Sequence, residues 1–448
     1  MGVYNYFFSH EGGIMKIIKR ITVLSALFVF LAATALAQGL PQATNPEEVG
    51  MSSERLARLT TGIQEAVDKG QIPGAVAIVL RKGKVAYSQA IGFQDREKGT
   101  PMSDNSIFRI YSMSKTFTSL AVMMLMEEGK IILADPISKF LPEFKNMKVG
   151  ETRLNEYTGK EELVLVPANR QITIQDLLRH TSGLTYWFFG KPSLSKAQWK
   201  ANNPFDFKLT LAEMVTKMTK APLCYQPGTT WDYSQSTDVL GRLVEVVSGV
   251  DFETFISERI AKPLKLADTG FWVEGADNLA RLAEPQAEPP AGKKPAAIDV
   301  TKRPNWLSGG GGMVSTASDY ARLCQLFLNG GILDGVRLLS PKTVQLMTSN
   351  HLPANIQYAP VLQSQLGPSF PSAEVGNGFG LGFCVRIDPG LNPQPGSVGD
   401  YSWAGYLGTY FWVDPQEELV AVLMMQIRAN RNYYRSYMRD MVYQAIVD

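Results

Sequence analysis

Hydrophobic patterning near the start of the chain predicts one helix followed by a β-hairpin. Apolar residues recur at helical spacing after Ser52 or Ser53, either of which can cap the helix, and the pattern ends near Gly70. Residues 75–80 and 84–91 are then rich in β-branched side chains, and a Lys-Gly pair between them is typical of a tight turn. These segments predict two antiparallel strands that begin a sheet.

Further along the chain the pattern changes twice. Residues 112–329 have mainly helical spacing with long polar loops, whereas residues 379–386, 409–413 and 418–426 again have the composition of strands. A last amphipathic segment, 433–447, predicts a closing helix. Strands at both ends of a chain with helices between them indicate one sheet built from the two termini. The predicted fold class is therefore α/β (α+β), an antiparallel sheet flanked by terminal helices with an inserted mainly helical subdomain.

This pattern gives expected boundaries for a single domain over residues 38–448. The sheet part is expected at about 46–108 and 376–448, and the helical subdomain at about 109–340. Clefts commonly form where such parts meet, so we expect the functional site at their junction.

The first 37 residues have the features of a secretory signal peptide. Three basic residues precede the apolar run 21–33, and a small-residue cleavage site ends at Ala37. We expect translation to begin at Met15 and the mature protein to be periplasmic or secreted from a bacterial cell. The alternative, a retained membrane anchor, needs a longer apolar span than this one.

Composition excludes several other classes of function. The 448 residues are 45% hydrophobic and 19% charged, which is ordinary for a globular protein. Cleavage of the leader removes three of 44 basic and one of 42 acidic residues, which leaves the two signs balanced and no basic patch for nucleic acid. Cys224, Cys324 and Cys384 are too far apart for a zinc site and odd in number, so at most one disulfide could form and free buried thiols are preferred. Oligomeric state stays open.

Histidine is scarce, and this limits the possible catalytic bases. Only His180 and His351 remain after the leader, and no G-x-S-x-G motif accompanies them. Neither histidine has a second ligand at the spacing of a metalloenzyme motif, so no metal and no cofactor are expected. A hydrolase with this sequence would need another base.

An S-x-x-K motif supplies a candidate nucleophile and its partner. Ser112 and Lys115 lie one helical turn apart, so both can share one face of a helix whose apolar continuation is 119–126. About two such motifs are expected by chance in a chain of this length, and a second one occurs at Ser193 and Lys196. The second lies in a polar stretch that indicates a surface loop, so Ser112 is preferred.

Two further segments offer complementary groups. Tyr233 precedes the apolar helical segment 239–247 and could share with Lys115 the proton taken from Ser112, although a tyrosine at such a place often serves packing alone. The backbone N–H groups of Ser112 and Tyr406 could form an oxyanion hole if the strand near Tyr406 borders the cleft. A glycine-rich hairpin with aromatic packing is the alternative for that second segment.

Three motifs in this order resemble those of a known family. They are Ser112 to Lys115 as S-x-x-K, Tyr233-Ser234-Gln235 in place of Tyr-x-Asn, and Trp403-Ala404-Gly405 where lactamases carry Lys-Thr-Gly. The chain thus resembles the serine β-lactamase-like superfamily, in the branch of class C β-lactamases, D-Ala-D-Ala peptidases and family VIII carboxylesterases. Segments 177–184, 309–316 and 378–382 support the resemblance, which covers essentially the whole mature chain.

The resemblance implies a β-lactamase/transpeptidase-like fold and a role for each motif residue. Ser112 would be acylated, and Lys115 and Tyr233 would move the proton. The backbone at Ser112 and Tyr406 would hold the oxyanion, while His180 would be structural because its motif lies outside the catalytic elements.

Two departures from the family pattern bear on the substrate. Trp403 stands where a lysine attracts a substrate carboxylate, and Gln235 replaces the asparagine that holds a β-lactam amide. With Ala404 and Gly405, these residues are the expected substrate-binding positions. A neutral ester loses nothing by the change from lysine to tryptophan, whereas an anionic β-lactam loses its ion pair.

The sequence therefore predicts an exported serine hydrolase that cleaves short-chain carboxylic esters, the esterase type of the family. Its expected partner is a small-molecule ester or amide, with no nucleic acid and no stable membrane insertion after signal cleavage. The alternatives are a class C-type β-lactamase, a D-Ala-D-Ala carboxypeptidase or a D-aminopeptidase. An acyltransferase or a catalytically silent binding protein of the same fold also remains open.

Overall fold

A computed structural model describes residues 1–2, 39–288, 292–360 and 362–448. Its contacts divide the chain into two units, Met1–Pro41 and Gln42–Asp448. The predicted signal peptide lies, apart from residues 1–2, outside the described residues. Within the described ranges, every helix is too short or too polar to cross a bilayer.

An eight-stranded antiparallel sheet forms the centre of the unit Gln42–Asp448. Its strands are β1 (Gly74–Arg81), β2 (Lys84–Asp95), β3 (Thr100–Pro101), β4 (Asn377–Phe379), β5 (Cys384–Arg386), β6 (Tyr401–Ala404), β7 (Tyr410–Asp414) and β8 (Leu419–Met425). Their spatial order is β4-β5-β6-β7-β8-β1-β2-β3, so β8 pairs with β1 and joins the two ends of the chain. The predicted α/β architecture with one sheet from both termini is confirmed.

Twelve α-helices surround and extend this sheet in the described residues. They are α1 (Ser53–Asp68), α2 (Ser114–Glu127), α3 (Ile174–Leu178), α4 (Leu194–Asn202), α5 (Leu211–Met218), α6 (Ser236–Ser248), α7 (Phe252–Ile256), α8 (Ala276–Leu279), α9 (Ala317–Leu328), α10 (Pro341–Met347), α11 (Leu362–Leu366) and α12 (Arg431–Tyr443). Single helical turns occur at Pro46–Val49, Tyr111–Met113, Ile137–Lys139, Pro142–Phe144, Ser257–Ala261, Gly367–Ser369 and Ala373–Val375. Short strand pairs join Phe108–Arg109 to Val314–Ser315, Lys148–Leu154 to Glu161–Pro167, Thr230–Trp231 to Gln357–Tyr358, and Ile332–Leu333 to Val336–Arg337.

Both faces of the sheet are covered, which explains why every residue of β1 is buried. Alternate side chains of a strand point to opposite faces, and Ala75, Ala77 and Val79 belong to the core that α1 and α12 complete. Helix α9 packs against strands β1, β7 and β8. Burial on both faces accounts for the nearly continuous apolar sequence of β1 and β8.

Two parts of the chain differ from the prediction. Residues 379–386 were expected to form one strand, but they contribute to two strands, β4 and β5, because glycines allow a turn between them. Gly382 has φ +105°, and a Cβ there would lie 2.4 Å from Ser119 Oγ, so only glycine fits this turn against α2. The hairpin Lys148–Leu154 with Glu161–Pro167 was also not predicted within the helical part.

Candidate active site

Ser112 lies in the single 3-10 turn Tyr111–Met113, directly before α2. The regular helix thus begins at Ser114, two residues later than the motif suggested. Tyr111 has φ +45°, a left-handed conformation that is uncommon for a bulky residue. Its ring packs against Tyr406 at a centroid distance of 5.5 Å, and its hydroxyl accepts a hydrogen bond from the Ile298 N–H at 3.3 Å. These contacts hold the strained turn that presents Ser112.

Gly405 brings the end of β6 against this turn. A Cβ at position 405 would lie 2.4 Å from the Ile110 carbonyl oxygen, so any other residue would push the two segments apart. The Thr409 hydroxyl donates to the same Ile110 oxygen at 3.3 Å. The glycine of the third motif therefore allows the close approach of strand and nucleophile turn.

One pocket contains most of the residues that the sequence singled out. Its lining includes Ser112, Tyr233, Trp403, Ala404, Gly405 and Tyr406, together with Phe189, Gln365, Leu366, Ser369, Arg431 and Arg435. Segments more than a hundred residues apart in sequence thus meet at one place. Gln235 is not among the lining residues, and its side chain is fully buried at the start of α6. Its amide has no hydrogen-bond partner within the described residues.

Lys115 is buried beside the pocket and faces Tyr233. Its Nζ donates to the Gly310 carbonyl at 2.6 Å and lies 4.5 Å from the centroid of the Tyr233 ring. Among the described residues, no hydrogen bond joins the Ser112 hydroxyl to Lys115 or Tyr233. Catalytic hydrogen bonds are often long without substrate and shorten in the complex, so this arrangement is compatible with the predicted roles.

Asp238 supports the loop that holds Lys115, and the sequence analysis did not identify it. Its Oδ1 accepts hydrogen bonds from the Ser308 hydroxyl at 2.6 Å and from the Gly310 N–H at 3.1 Å. Burial raises the pKa of Asp238, while the Ser308 hydrogen bond and the Lys115 charge oppose that rise. An acidic residue five positions after Tyr233 in a mostly apolar helix was the available signal. Asp238 thus positions the Gly310 carbonyl that accepts from Lys115.

Trp403, an expected substrate-binding residue, forms a hydrogen bond with Tyr233. Its indole Nε1 donates a hydrogen bond to the Tyr233 hydroxyl at 3.2 Å, and both side chains are buried. A hydrogen bond donated to a phenolic oxygen stabilises the phenolate more than the phenol. Trp403 therefore contacts the candidate base directly.

His180 packs against the same tyrosine. The two ring centroids are 4.9 Å apart, and His180 Nδ1 lies 3.1 Å from the Ser234 hydroxyl oxygen. Burial lowers the pKa of His180 well below its ordinary value, and the charge of Lys115 lowers it further. The imidazole is therefore neutral at pH 7, and its structural role stays a prediction.

The turn after Gly405 carries the second predicted oxyanion donor. The N–H groups of Gly405 and Gly408 close this turn, donating to Thr409 O at 2.8 Å and to Gly405 O at 3.2 Å. In the described part of the chain, the Tyr406 N–H has no acceptor, so it is available to a ligand. Its availability agrees with the predicted role, which the geometry alone does not test.

Two arginines of α12 fix this turn, and the sequence analysis missed both. Arg431 donates to the Tyr406 carbonyl and its guanidinium lies 5.2 Å from the centroid of the Tyr406 ring. Arg435 donates to the Gly405 carbonyl. Because the lining residues include these two cations and no acid, the pocket favours negative charge that develops during a reaction.

The second S-x-x-K motif has a structural role, and the prediction that it lies in a surface loop is wrong. Ser193 caps α4, because its hydroxyl accepts from the Lys196 N–H at 3.2 Å. The Lys196 side chain is buried and donates to the Phe189 carbonyl. Neither residue lines the pocket with Ser112.

The cysteines and potential metal ligands add no further chemistry to the site. Cys224, Cys324 and Cys384 are free thiols, and burial raises the pKa of each. Within the ranges that the structure describes, no group of three or more His, Cys, Asp or Glu side chains could hold a metal ion.

Comparisons with known proteins bear on the family of this chain. A family model described as Beta-lactamase matches residues 59–440. Protein Rv1367c of Mycobacterium tuberculosis (strain ATCC 25618 / H37Rv) is 35% identical over 380 residues, which cover 81% of this chain and 88% of that protein. Esterase EstB of Burkholderia gladioli is 30% identical over 385 residues, which cover 82% and 89%. The solved structure of EstCE1, described as a hydrolase with promiscuous acyltransferase activity, matches with a TM-score of 0.71 and 29% identity, covering 87% of this chain and 99% of that one.

Proposed function

The chain belongs to the beta-lactamase family as a serine hydrolase of its esterase type, and we propose that it cleaves short-chain carboxylic esters through an acyl-enzyme. The observation that carries this proposal is the pocket in which Ser112 and Tyr233 meet Trp403 instead of a lysine. An uncharged indole at that position suits a neutral ester. Its hydrogen bond to the Tyr233 hydroxyl stabilises the phenolate form that accepts the proton.

In the proposed first half-reaction, the Ser112 hydroxyl attacks the ester carbonyl. Tyr233 takes the serine proton, with the Lys115 ammonium nearby to stabilise the phenolate. The N–H groups of Ser112 and Tyr406 hold the oxyanion of the tetrahedral intermediate. The intermediate then collapses, the carbon–oxygen bond to the alcohol breaks, and Tyr233 returns the proton to the leaving alcohol.

The second half-reaction removes the acyl group with water. A water molecule loses its proton to Tyr233 and attacks the acyl carbonyl. Collapse of this second intermediate releases the carboxylic acid, and the proton returns to Ser112. If an alcohol or amine takes the place of water, the same steps produce acyl transfer, as the description of EstCE1 suggests for that protein.

A β-lactamase or peptidase activity is the second candidate, and one observation favours it. Arg431 and Arg435 place two cations in the pocket. An anionic substrate could pair with these charges, although Trp403 itself is uncharged. Turnover of p-nitrophenyl butyrate should exceed turnover of nitrocefin if the ester proposal is right. Fast nitrocefin hydrolysis with negligible ester cleavage would favour the second candidate instead.

Export to the periplasm or the medium is also part of the proposal. It is supported by the basic residues before the apolar run 21–33 and by the small residues that end at Ala37. The test is expression of the full chain in a bacterial host, followed by fractionation and N-terminal sequencing. We expect a mature N-terminus at Gln38 outside the cytoplasm, and an uncleaved cytoplasmic protein would contradict the proposal.

A further inference from the structure

A continuous set of aromatic rings lies next to the pocket and has no role in the reaction described above. We define it as the aromatic strip: Tyr186, Phe188, Phe189, Phe205, Phe207 and Trp306. Its rings follow one another at short centroid distances, 5.2 Å from Phe189 to Phe188, 5.1 Å from Phe188 to Phe205 and 5.3 Å from Phe205 to Phe207. Trp306 lies 5.0 Å from Phe205 and closes the strip on its buried side.

One end of the strip belongs to the active site. Phe189 lines the pocket with Ser112, and its ring centroid lies 5.9 Å from that of Tyr233. Tyr186 contacts the Tyr233 ring at 5.5 Å. The strip is therefore continuous with the candidate base.

The other end of the strip is open to solvent. Phe188 is 43% exposed and Phe207 is 45% exposed, and they are the two exposed phenylalanines in the described ranges. Contiguous exposed aromatic surface beside a cleft is typical of a ligand-binding groove rather than of a core. Packing within the protein thus explains the buried rings of the strip, but it does not explain the exposed rings of Phe188 and Phe207.

The strip is held in place by a buried charge. Lys196 donates its ammonium to the Phe189 carbonyl, and its side chain is buried. Burying an ammonium is costly unless it is well bonded, so this contact fixes the backbone of the strip at the pocket. The lysine of the second S-x-x-K motif therefore has a structural role, because it holds the backbone of Phe189.

We propose that the aromatic strip binds a flat aromatic or conjugated ring in the alcohol part of the ester substrate. This inference rests on the proposed function and deepens it. Tyr233 protonates the leaving alcohol in that mechanism, so the alcohol lies on the Tyr233 side of Ser112, which is the side that Tyr186 and Phe189 contact. Phe188 and Phe207 then stack on the part of this ring that lies farther from the ester bond.

Two esters with the same acyl group test the proposal. 2-Naphthyl acetate and ethyl acetate form the same acetyl-enzyme and differ only in the alcohol. In Phe188→Ala and Phe207→Ala we expect kcat/KM for 2-naphthyl acetate to fall about fivefold, as expected for the loss of one ring contact. The value for ethyl acetate should stay within about twofold of wild type. Phe188→Leu, which keeps an apolar side chain, should lose less.

A matched control is Tyr157→Ala, which removes a fully exposed ring outside the strip and should alter neither substrate. Equal losses for both esters in the strip variants, or no loss for either, would overturn the proposal. A change in oligomeric state without a change in the ratio of the two esters would also overturn it, because a second copy of the chain would then be the occupant. Failure of the proposed function itself looks different, since wild type would then cleave neither ester or Ser112→Ala would still cleave both.

Discussion

The indole Nε1 of Trp403 donates a hydrogen bond to the hydroxyl of Tyr233 over 3.2 Å, in a pocket that also contains Ser112. The resemblance to lactamases implies a lysine that recognises a substrate carboxylate at this position, whereas Trp403 contacts the candidate base. We therefore expect Trp403 to bear on both the substrate and the proton transfer.

The first prediction concerns this hydrogen bond. Trp403→Phe keeps an aromatic ring but removes the donor, so the phenolate of Tyr233 loses stabilisation. We expect kcat for p-nitrophenyl butyrate to fall about tenfold with KM little changed. Trp412→Phe is the control, because that buried indole N–H has no partner in the described residues. A wild-type kcat in Trp403→Phe would contradict the assignment.

Asp238 gives a second prediction, on positioning. Asp238→Asn retains an oxygen that can accept from Ser308 and Gly310 but removes the negative charge near Lys115. We expect kcat for p-nitrophenyl butyrate to fall about tenfold with KM little changed. Asp319→Asn, at another buried carboxyl that accepts from the Asp268 N–H, should alter stability without altering kcat. Equal losses of kcat in the two variants would show that Asp238 is only structural.

The third prediction follows from the close approach at Gly405. In Gly405→Ala the added Cβ would lie 2.4 Å from the Ile110 carbonyl oxygen, so β6 must move away from the Ser112 turn. Misplacement on this scale reduces rates about a hundredfold, and we expect that loss in kcat/KM for p-nitrophenyl butyrate. Gly270→Ala is the control, since its new Cβ would meet its nearest neighbour at 3.8 Å. A fully active Gly405→Ala enzyme would be incompatible with this geometry.

The fourth prediction concerns stability and pH. Burial raises the pKa of Asp232 to about 7, against the opposing charge of Lys196, and neither carboxylate oxygen has a hydrogen-bond partner in the described residues. Between about pH 4 and pH 7 the folded protein therefore holds a proton that the unfolded chain has lost, so the free energy of unfolding falls as pH rises through that window.

Asp232→Asn removes this titration. We expect the variant to gain about 2 kcal/mol in free energy of unfolding, relative to wild type, between pH 5 and pH 8. Denaturant unfolding at the two pH values measures the difference directly. If the variant and the wild type respond equally to pH, Asp232 is ionised throughout and the stated burial effect is wrong.

Local patterns predicted the elements whose environment is simple. Helix α1 and the hairpin of β1 and β2 follow from apolar spacing and from the Lys-Gly turn, and the structure confirms both. The prediction of one strand over residues 379–386 was wrong, because their apolar pattern does not show that a glycine turn must fit against Ser119. The hairpin that begins at Lys148 escaped notice because most of its side chains are partly or fully exposed, so no buried face marks it.

The site was predictable where short motifs specify the chemistry. Ser112, Tyr233 and Trp403 were identified from such motifs and lie in one pocket. Arg431 and Phe189 carry no local signal, because only the packing of α12 and of the aromatic strip brings them to the nucleophile. The role of Gln235 stays a prediction, since its motif position suggested contact with substrate and the folded chain buries its side chain.

The central claim is that Ser112 forms a covalent acyl-enzyme with an ester. The most direct test is mass spectrometry of the protein after rapid mixing with p-nitrophenyl butyrate and acid quenching, followed by peptide mapping. The account predicts one butyryl group per chain on Ser112 in the wild type and none in Ser112→Ala. A butyryl group on another residue, or one that persists in Ser112→Ala, would contradict it.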